Sequence, residues 1–344
     1  MAIPDPRLVL AEFLRPESIC RIEPLGNAGG WSGSLLWRVQ AVALGAGLTT
    51  SPRHYCLRRW PAGTVPDRLH FIHLILTHVA AQGIDFVPAP VPLLRRTSVS
   101  LVQDDDNYLW DLAPWLPGIA DYHARPTRER LAAAMRALAQ FHTAAASFQP
   151  SVVHSGPAPA LVERIELVQQ LLSGELSRIT TAVHPGLNAE LDPRANRILE
   201  LTHNRIAPLL PWLESAALIN LPLLPAIRDI HHEHVLFTGG EVTGLIDFGA
   251  MRMDTPLTDI ARLAGSLIAD DRLARDFALD AYSQLRPLVD QDRRLIDLLD
   301  RSGLILGGLN WLRWLYLDRR DMGPLPPIVK RLDEILARMV ASPN

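Results

Sequence analysis

Apolar residues alternate with polar ones in short runs up to about residue 112, then recur at three- and four-residue spacing, so the pattern predicts a β-rich N-terminal part followed by a helical one. A short amphipathic helix is expected within residues 1–17, with Leu8, Val9, Phe13 and Leu14 on one side. Strands follow at 19–25, 35–42 and 55–60, then a helix over 67–82 that stops at Gly83. The Pro-rich run 86–92 reads as an extended connector. Beyond it come strands 93–102 and 108–113, around the turn Asp104-Asp105-Asp106-Asn107. Pro114-Trp115-Leu116-Pro117-Gly118 breaks the pattern, which places a boundary after residue 112 and divides the chain into lobes 1–112 and 113–344. Helices are expected at 128–146, 161–172, 195–216, about 258–285, 291–317 and 327–340.

The helical part is interrupted once, and the interruption carries the chemistry. Val235-Leu236-Phe237 and Val242 to Ile246 are β-prone runs joined through Gly239-Gly240, a tight hairpin. Antiparallel strands return the chain to its starting end, so Asp229 before the hairpin and Asp247 after it are expected to share one site. Two such carboxylates suit phosphoryl transfer, one holding Mg2+ against phosphate oxygens and the other orienting the attacking hydroxyl.

The segment Asp229-Ile230-His231-His232-Glu233-His234, followed by Asp247-Phe248-Gly249, resembles the catalytic and metal-binding stretch of the aminoglycoside phosphotransferase and choline kinase group. The family reads His-Gly-Asp-x-x-x-x-Asn where this chain has Ile227-Arg228-Asp229 and ends on His234. Asp254 and Asp259 match the later Gly-Asp-Pro-x-x-Asp-Leu-Ala run, with Asp259 counted as structural support. The resemblance implies an α+β, two-lobed protein-kinase-like fold that uses ATP and Mg2+ to phosphorylate a hydroxyl of a small molecule. It implies Asp229 as the hydroxyl-orienting residue, Asp247 as the Mg2+ ligand, and His234 in the asparagine's place, serving catalysis or the metal.

On the nucleotide side the resemblance points to the Gly-rich turn, with Gly29, Gly30, Ser32 and Gly33 over the phosphates. Arg58 stands in for the strand lysine, with Arg59 second, and Trp110 to Trp115 form the adenine hinge, with Trp110 and Leu112 as the candidates. The helix that would supply a glutamate partner for the lysine has none; His70 and His73 read as surface or core residues, and His142 as a packing histidine.

Composition narrows the partners. A formal net charge of -3 gives no basic field for nucleic acid. Lys330 is the only lysine, so arginine carries the cationic roles. Cys20 and Cys56 form no disulfide or zinc pattern, the N-terminus is not a signal peptide, and no run is apolar enough to span a bilayer, which together suggest a cytoplasmic protein. Two other readings stay open. The missing lysine, glutamate and asparagine favour a non-catalytic nucleotide-binding module, and alternation of His232 and His234 in an extended segment would favour a zinc hydrolase with a distant third ligand.

Overall fold

The computed structural model describes residues 5–26, 33–42, 52–148, 155–183 and 188–341. The chain forms two compact units, residues 1–121 with 233–249, and residues 122–232 with 250–344. In chain order the first unit holds α1 (Pro6–Phe13), β1 (Ile19–Gly26), β2 (Leu35–Ala41), β3 (Arg53–Arg59), α2 (Pro66–Ala81), β4 (Val102–Gln103) and β5 (Leu109–Pro114). The second unit holds α3 (Arg128–Ala146), β6 (Ser155–Gly156), α4 (Pro159–Gln170), α5 (Leu176–Ala182), α6 (Asp192–His203), α7 (Ile206–Ala217), β7 (Leu221–Pro222) and β8 (Leu224–Ala226). The hairpin of β9 (Val235–Thr238) and β10 (Glu241–Leu245) belongs with the first unit. The second unit resumes with β11 (Arg252–Asp254), α8 (Leu257–Ile268), α9 (Arg272–Ser283), α10 (Asp290–Leu312) and α11 (Leu325–Ala341).

The first unit is built on an antiparallel sheet in the order β1-β2-β3-β5-β4. Strand alternation assigns its faces. Leu57, Trp110 and Leu112 point into a core that also takes Trp37, Val39 and, from α1, Val9, Leu10 and Phe13. Trp37 and Trp110 stack there with ring centroids 5.1 Å apart. Arg58 and Asp111, register partners on β3 and β5, fall on the opposite face by the same alternation.

The expected cut after residue 112 differs from the observed division because the stretch up to Asp121 and the hairpin are tied to the sheet unit. Ile119 and Phe237 exchange two backbone hydrogen bonds of 3.0 Å, Thr243 Oγ1 donates to the Pro117 carbonyl, and Leu245 N–H donates to Phe86. Gly118, at φ +105°, makes the approach possible, since a Cβ there would lie 2.9 Å from the Phe237 carbonyl oxygen.

Several expected elements are shorter than drawn. Of the strand expected over 93–102 only Val102 lies in one, the two-residue β4; the helix expected over 195–216 is two helices, and 258–285 is likewise α8 and α9. In the second unit α3 buries Leu131, Met135, Leu138 and Phe141 and packs against α9, while α8 packs against α10. No helix among the described residues is long and apolar enough to cross a membrane.

Candidate functional site

The hairpin delivers Asp247 by simple local rules. Val235, Phe237 and Leu245 are buried, Gly239 turns the chain at φ +61°, and Ile246 N–H donates to the His234 carbonyl, closing the ladder one residue before Asp247. Asp247 itself adopts φ +61°, a left-handed conformation that costs about 1–2 kcal/mol for a residue with a side chain. The turn is held by Phe248, buried just beyond, and by Arg68 of α2, which donates to the Gly249 carbonyl. The left-handed turn sets the Asp247 carboxylate at the exit of the hairpin.

That carboxylate, 34 % exposed, faces Arg58 Nη1 at 3.8 Å from Oδ1 and His234 Nε2 at 3.6 Å from Oδ2. Both separations exceed a direct hydrogen bond, so the oxygens keep lone pairs for a further partner. A hard carboxylate suits Mg2+, and the arginine fork beside it suits the phosphate oxygens that would accompany the ion. Imidazole adds little for so hard a cation.

Arg58 also stacks on Trp60, its guanidinium carbon 4.8 Å from the ring centroid. Arg59 points the other way, over Tyr108 and Trp110. Of the two expected candidates, the one on the Asp247 side is Arg58.

Asp229 belongs to the second unit. Its loop is anchored by Ile227 and Ile230, both fully buried, and its half-exposed carboxylate pairs with Arg262 of α8. The preceding Arg228 sits at φ +67°. Asp259, entirely buried at the start of α8, holds this backbone: Oδ2 accepts from Ile227 N–H at 2.7 Å and Oδ1 from Arg228 N–H at 2.6 Å. Oδ2 also pairs with His142 Nε2 at 3.0 Å, while His142 Nδ1 pairs with Tyr282 Oη at 2.9 Å. Burial depresses the His142 pKa despite the Asp259 partner, which leaves a neutral ring donating through Nε2 and accepting from the tyrosine. The Arg228 guanidinium in turn binds Glu163 and faces the buried Asp254 at 3.3 Å. Its hydrogen bond to Glu163 outweighs partial burial and lowers that carboxyl's pKa.

The remaining expected residues divide. Gly29, Gly30 and Ser32 lie outside the described residues. Gly33 takes φ +81°, with Pro61 as the nearest neighbour a Cβ would meet, at 4.0 Å. Trp110 and Leu112, expected as hinge positions through their backbone groups, have side chains that are 0 % exposed in the sheet core; Trp110 Nε1 donates to Asp104, and the Leu112 carbonyl accepts from Val91 N–H. They read as hinge residues by position along the chain, yet alternation turns them inward. Residues 232–234 form a single 3-10 turn, so the extended geometry behind a shared zinc does not hold. His232 instead meets His123 edge-on, ring centroids 4.2 Å apart, and no three His, Cys, Asp or Glu side chains among the described residues are grouped to hold a metal. Trp60, Arg68, Asp111 and Arg262 escaped the sequence reading; only the i to i+2 spacing of Arg58 and Trp60 hinted at one of them.

A model of the phosphotransferase enzyme family matches residues 27–294. The chain belongs to that family. It is accordingly a phosphotransferase with a kinase-like α+β fold. Among curated proteins it is 25 % identical to a homoserine kinase of Methylocella silvestris over 75 % of this chain and 73 % of that enzyme. It is 32 % identical to a homoserine kinase of Polaromonas naphthalenivorans over 31 % of this chain, a match spanning only 36 % of that enzyme. Of solved structures, an aminoglycoside phosphotransferase from Alicyclobacillus acidocaldarius aligns with a TM-score of 0.63 at 17 % identity, covering 99 % of this chain and 95 % of the other. A spectinomycin phosphotransferase in complex with ADP and spectinomycin aligns at 0.61 and 12 % identity, over 94 % and 93 %. At those identities the structures speak for the fold alone.

Proposed function

We propose that this family member transfers the γ-phosphoryl group of ATP to a hydroxyl of a small acceptor. The observation that carries the reading is Asp247, held in a left-handed turn with Arg58 and His234 on either side of its carboxylate. Mg2+, when bound, would supply neutralisation of the charge that develops during transfer. Asp247 would hold that ion, and Arg58 would offer its fork of donors to the phosphates in the role a lysine plays elsewhere. His234 adds a hydrogen-bond partner beside the same carboxylate. Asp229 orients the acceptor hydroxyl and receives its proton, in a loop whose backbone Asp259 fixes.

Kinship guides the choice of acceptors to test. Both matched curated relatives are homoserine kinases, so a hydroxyl-bearing amino acid is the first acceptor to test, with aminoglycosides alongside. Arg58 in the lysine's place and His234 in the asparagine's favour a second reading, a nucleotide-binding module without turnover. Coupled ADP release from Mg·ATP, run against homoserine, other amino alcohols and aminoglycosides, separates the two. Acceptor-dependent ADP that vanishes in Asp229→Asn supports the kinase. Nucleotide binding with no acceptor-dependent ADP from any of these compounds supports the module.

A further inference from the structure

The helix that carries a glutamate partner for the strand lysine in the kinase resemblance carries none here, and the lysine is Arg58. The sheet unit nevertheless connects α2 to Arg58 by a continuous path. His73 of α2 is buried, with Nδ1 2.7 Å from Ser100 Oγ and Nε2 3.1 Å from Asp111 Oδ2. Trp60 Nε1 donates to the same Asp111 oxygen at 2.8 Å. The Trp60 ring then lies under the Arg58 guanidinium and against the Asp247 turn, where a Cβ on Gly249 would come within 3.3 Å of Trp60 Cζ3. Asp111 is a buried carboxylate that the proposed reaction does not use. Burial alone would raise its pKa, but the His73 and Trp60 hydrogen bonds and the nearby Arg58 charge hold it below the ordinary carboxylate value.

We propose that Trp60 is a positioning residue for Arg58, and that His73 and Asp111 lock it in place, so that α2 governs the grip on the nucleotide through a His73–Asp111–Trp60 chain where a kinase would use a lysine–glutamate pair. An arginine side chain has several rotatable bonds, and ordering them for phosphate is a conformational cost that a fixed aromatic platform lowers in advance. The platform is fixed because its one polar atom is bound to a buried anion, and that anion is fixed by a helix residue whose other ring nitrogen is itself bound. Arg68 gives α2 a second hold on the same turn through the Gly249 carbonyl. The indole, not the carboxylate, touches the arginine, and the Asp111 charge reaches Arg58 only through space.

The inference rests on Arg58 being a nucleotide-binding residue, and the experiment separates that premise from the inference. Mg·ATP is titrated calorimetrically into the full chain and into Arg58→Ala, Trp60→Phe and the double variant. Arg58→Ala should weaken binding by about tenfold or more. Trp60→Phe, which keeps a ring but loses the donor to Asp111, should weaken it about three- to tenfold while leaving kcat at saturating ATP within about twofold. In the double variant the loss should equal that of Arg58→Ala alone, because a platform without its arginine has nothing to place. His73→Leu should reproduce the Trp60→Phe loss and His73→Gln, whose amide can still donate to Asp111, should restore affinity; this pair carries the test if Trp60→Phe shows no cooperative melt. Wild-type affinity in Trp60→Phe beside a weakened Arg58→Ala, losses that multiply in the double variant, or equal losses in His73→Leu and His73→Gln would overturn the positioning role. Wild-type affinity in Arg58→Ala would overturn the Arg58 reading itself.

Discussion

Asp259→Asn isolates the buried support of the Asp229 loop while changing no group assigned to the reaction. The carboxylate accepts from Arg228 N–H at 2.6 Å through one oxygen, and from Ile227 N–H at 2.7 Å and His142 Nε2 at 3.0 Å through the other. An amide replaces one oxygen with a donor. Its better orientation turns the NH2 toward Arg228 N–H, which loses its acceptor, and leaves the other two donors on a neutral oxygen. A hydrogen bond to a charged group contributes about 1.5–3 kcal/mol and a neutral one about 1, so one lost and two weakened bonds sum to at least about 3 kcal/mol. In a helical unit of this size that is a fall of about 6–12 °C in Tm. Arg228, at φ +67°, would lose the tether that helps hold its unfavourable backbone, so the Asp229 loop would loosen as well. Differential scanning calorimetry supplies the Tm, and acceptor-dependent ADP release well below the melting range supplies the rate, expected to drop about tenfold or more. A Tm within about 2 °C of wild type, or an unchanged rate in a variant that does melt early, would refute the reasoning.

Asp229→Asn is expected to lower acceptor-dependent ADP release by at least about a hundredfold while moving the melting temperature little, because the residue is half-exposed and its pair with Arg262 is a surface one. Gly118→Ala should destabilise by about 1–3 kcal/mol in denaturant melts, since the added Cβ would crowd Thr243 and the Phe237 carbonyl at a positive φ. His142 has its pKa depressed in the folded state, so its contribution is complete above about pH 6.5, where neither state is protonated. As pH falls through that value the unfolded chain takes the proton first and stability declines; unfolding free energies at pH 8 and pH 5 should differ less in His142→Gln than in wild type.

The hairpin was legible because a β-prone run, a Gly-Gly turn and a second run admit few other folds, and its end residue Asp247 followed from the pairing. Helix α3 was placed to the residue by its long apolar face, and Thr127 caps it by accepting from Arg130 N–H. The inward turn of the Trp110 and Leu112 side chains was not legible, because position along the chain says which strand a residue occupies, while the face it turns to depends on the register between β3 and β5. The same register hid Asp111, whose neighbours Arg58, Trp60 and His73 come from two other elements. Arg262 was hidden because its partner Asp229 stands 33 positions earlier, and no local pattern pairs them.

The claim at the centre is that Asp247 holds a magnesium–nucleotide complex. Calorimetric titration of ATP into the chain with and without Mg2+, repeated on Asp247→Asn, tests it most directly. Binding that strengthens markedly with Mg2+ in the wild type and loses that dependence in Asp247→Asn is the predicted result. Nucleotide affinity that is absent in the wild type, or equally Mg2+-dependent in Asp247→Asn, would contradict it.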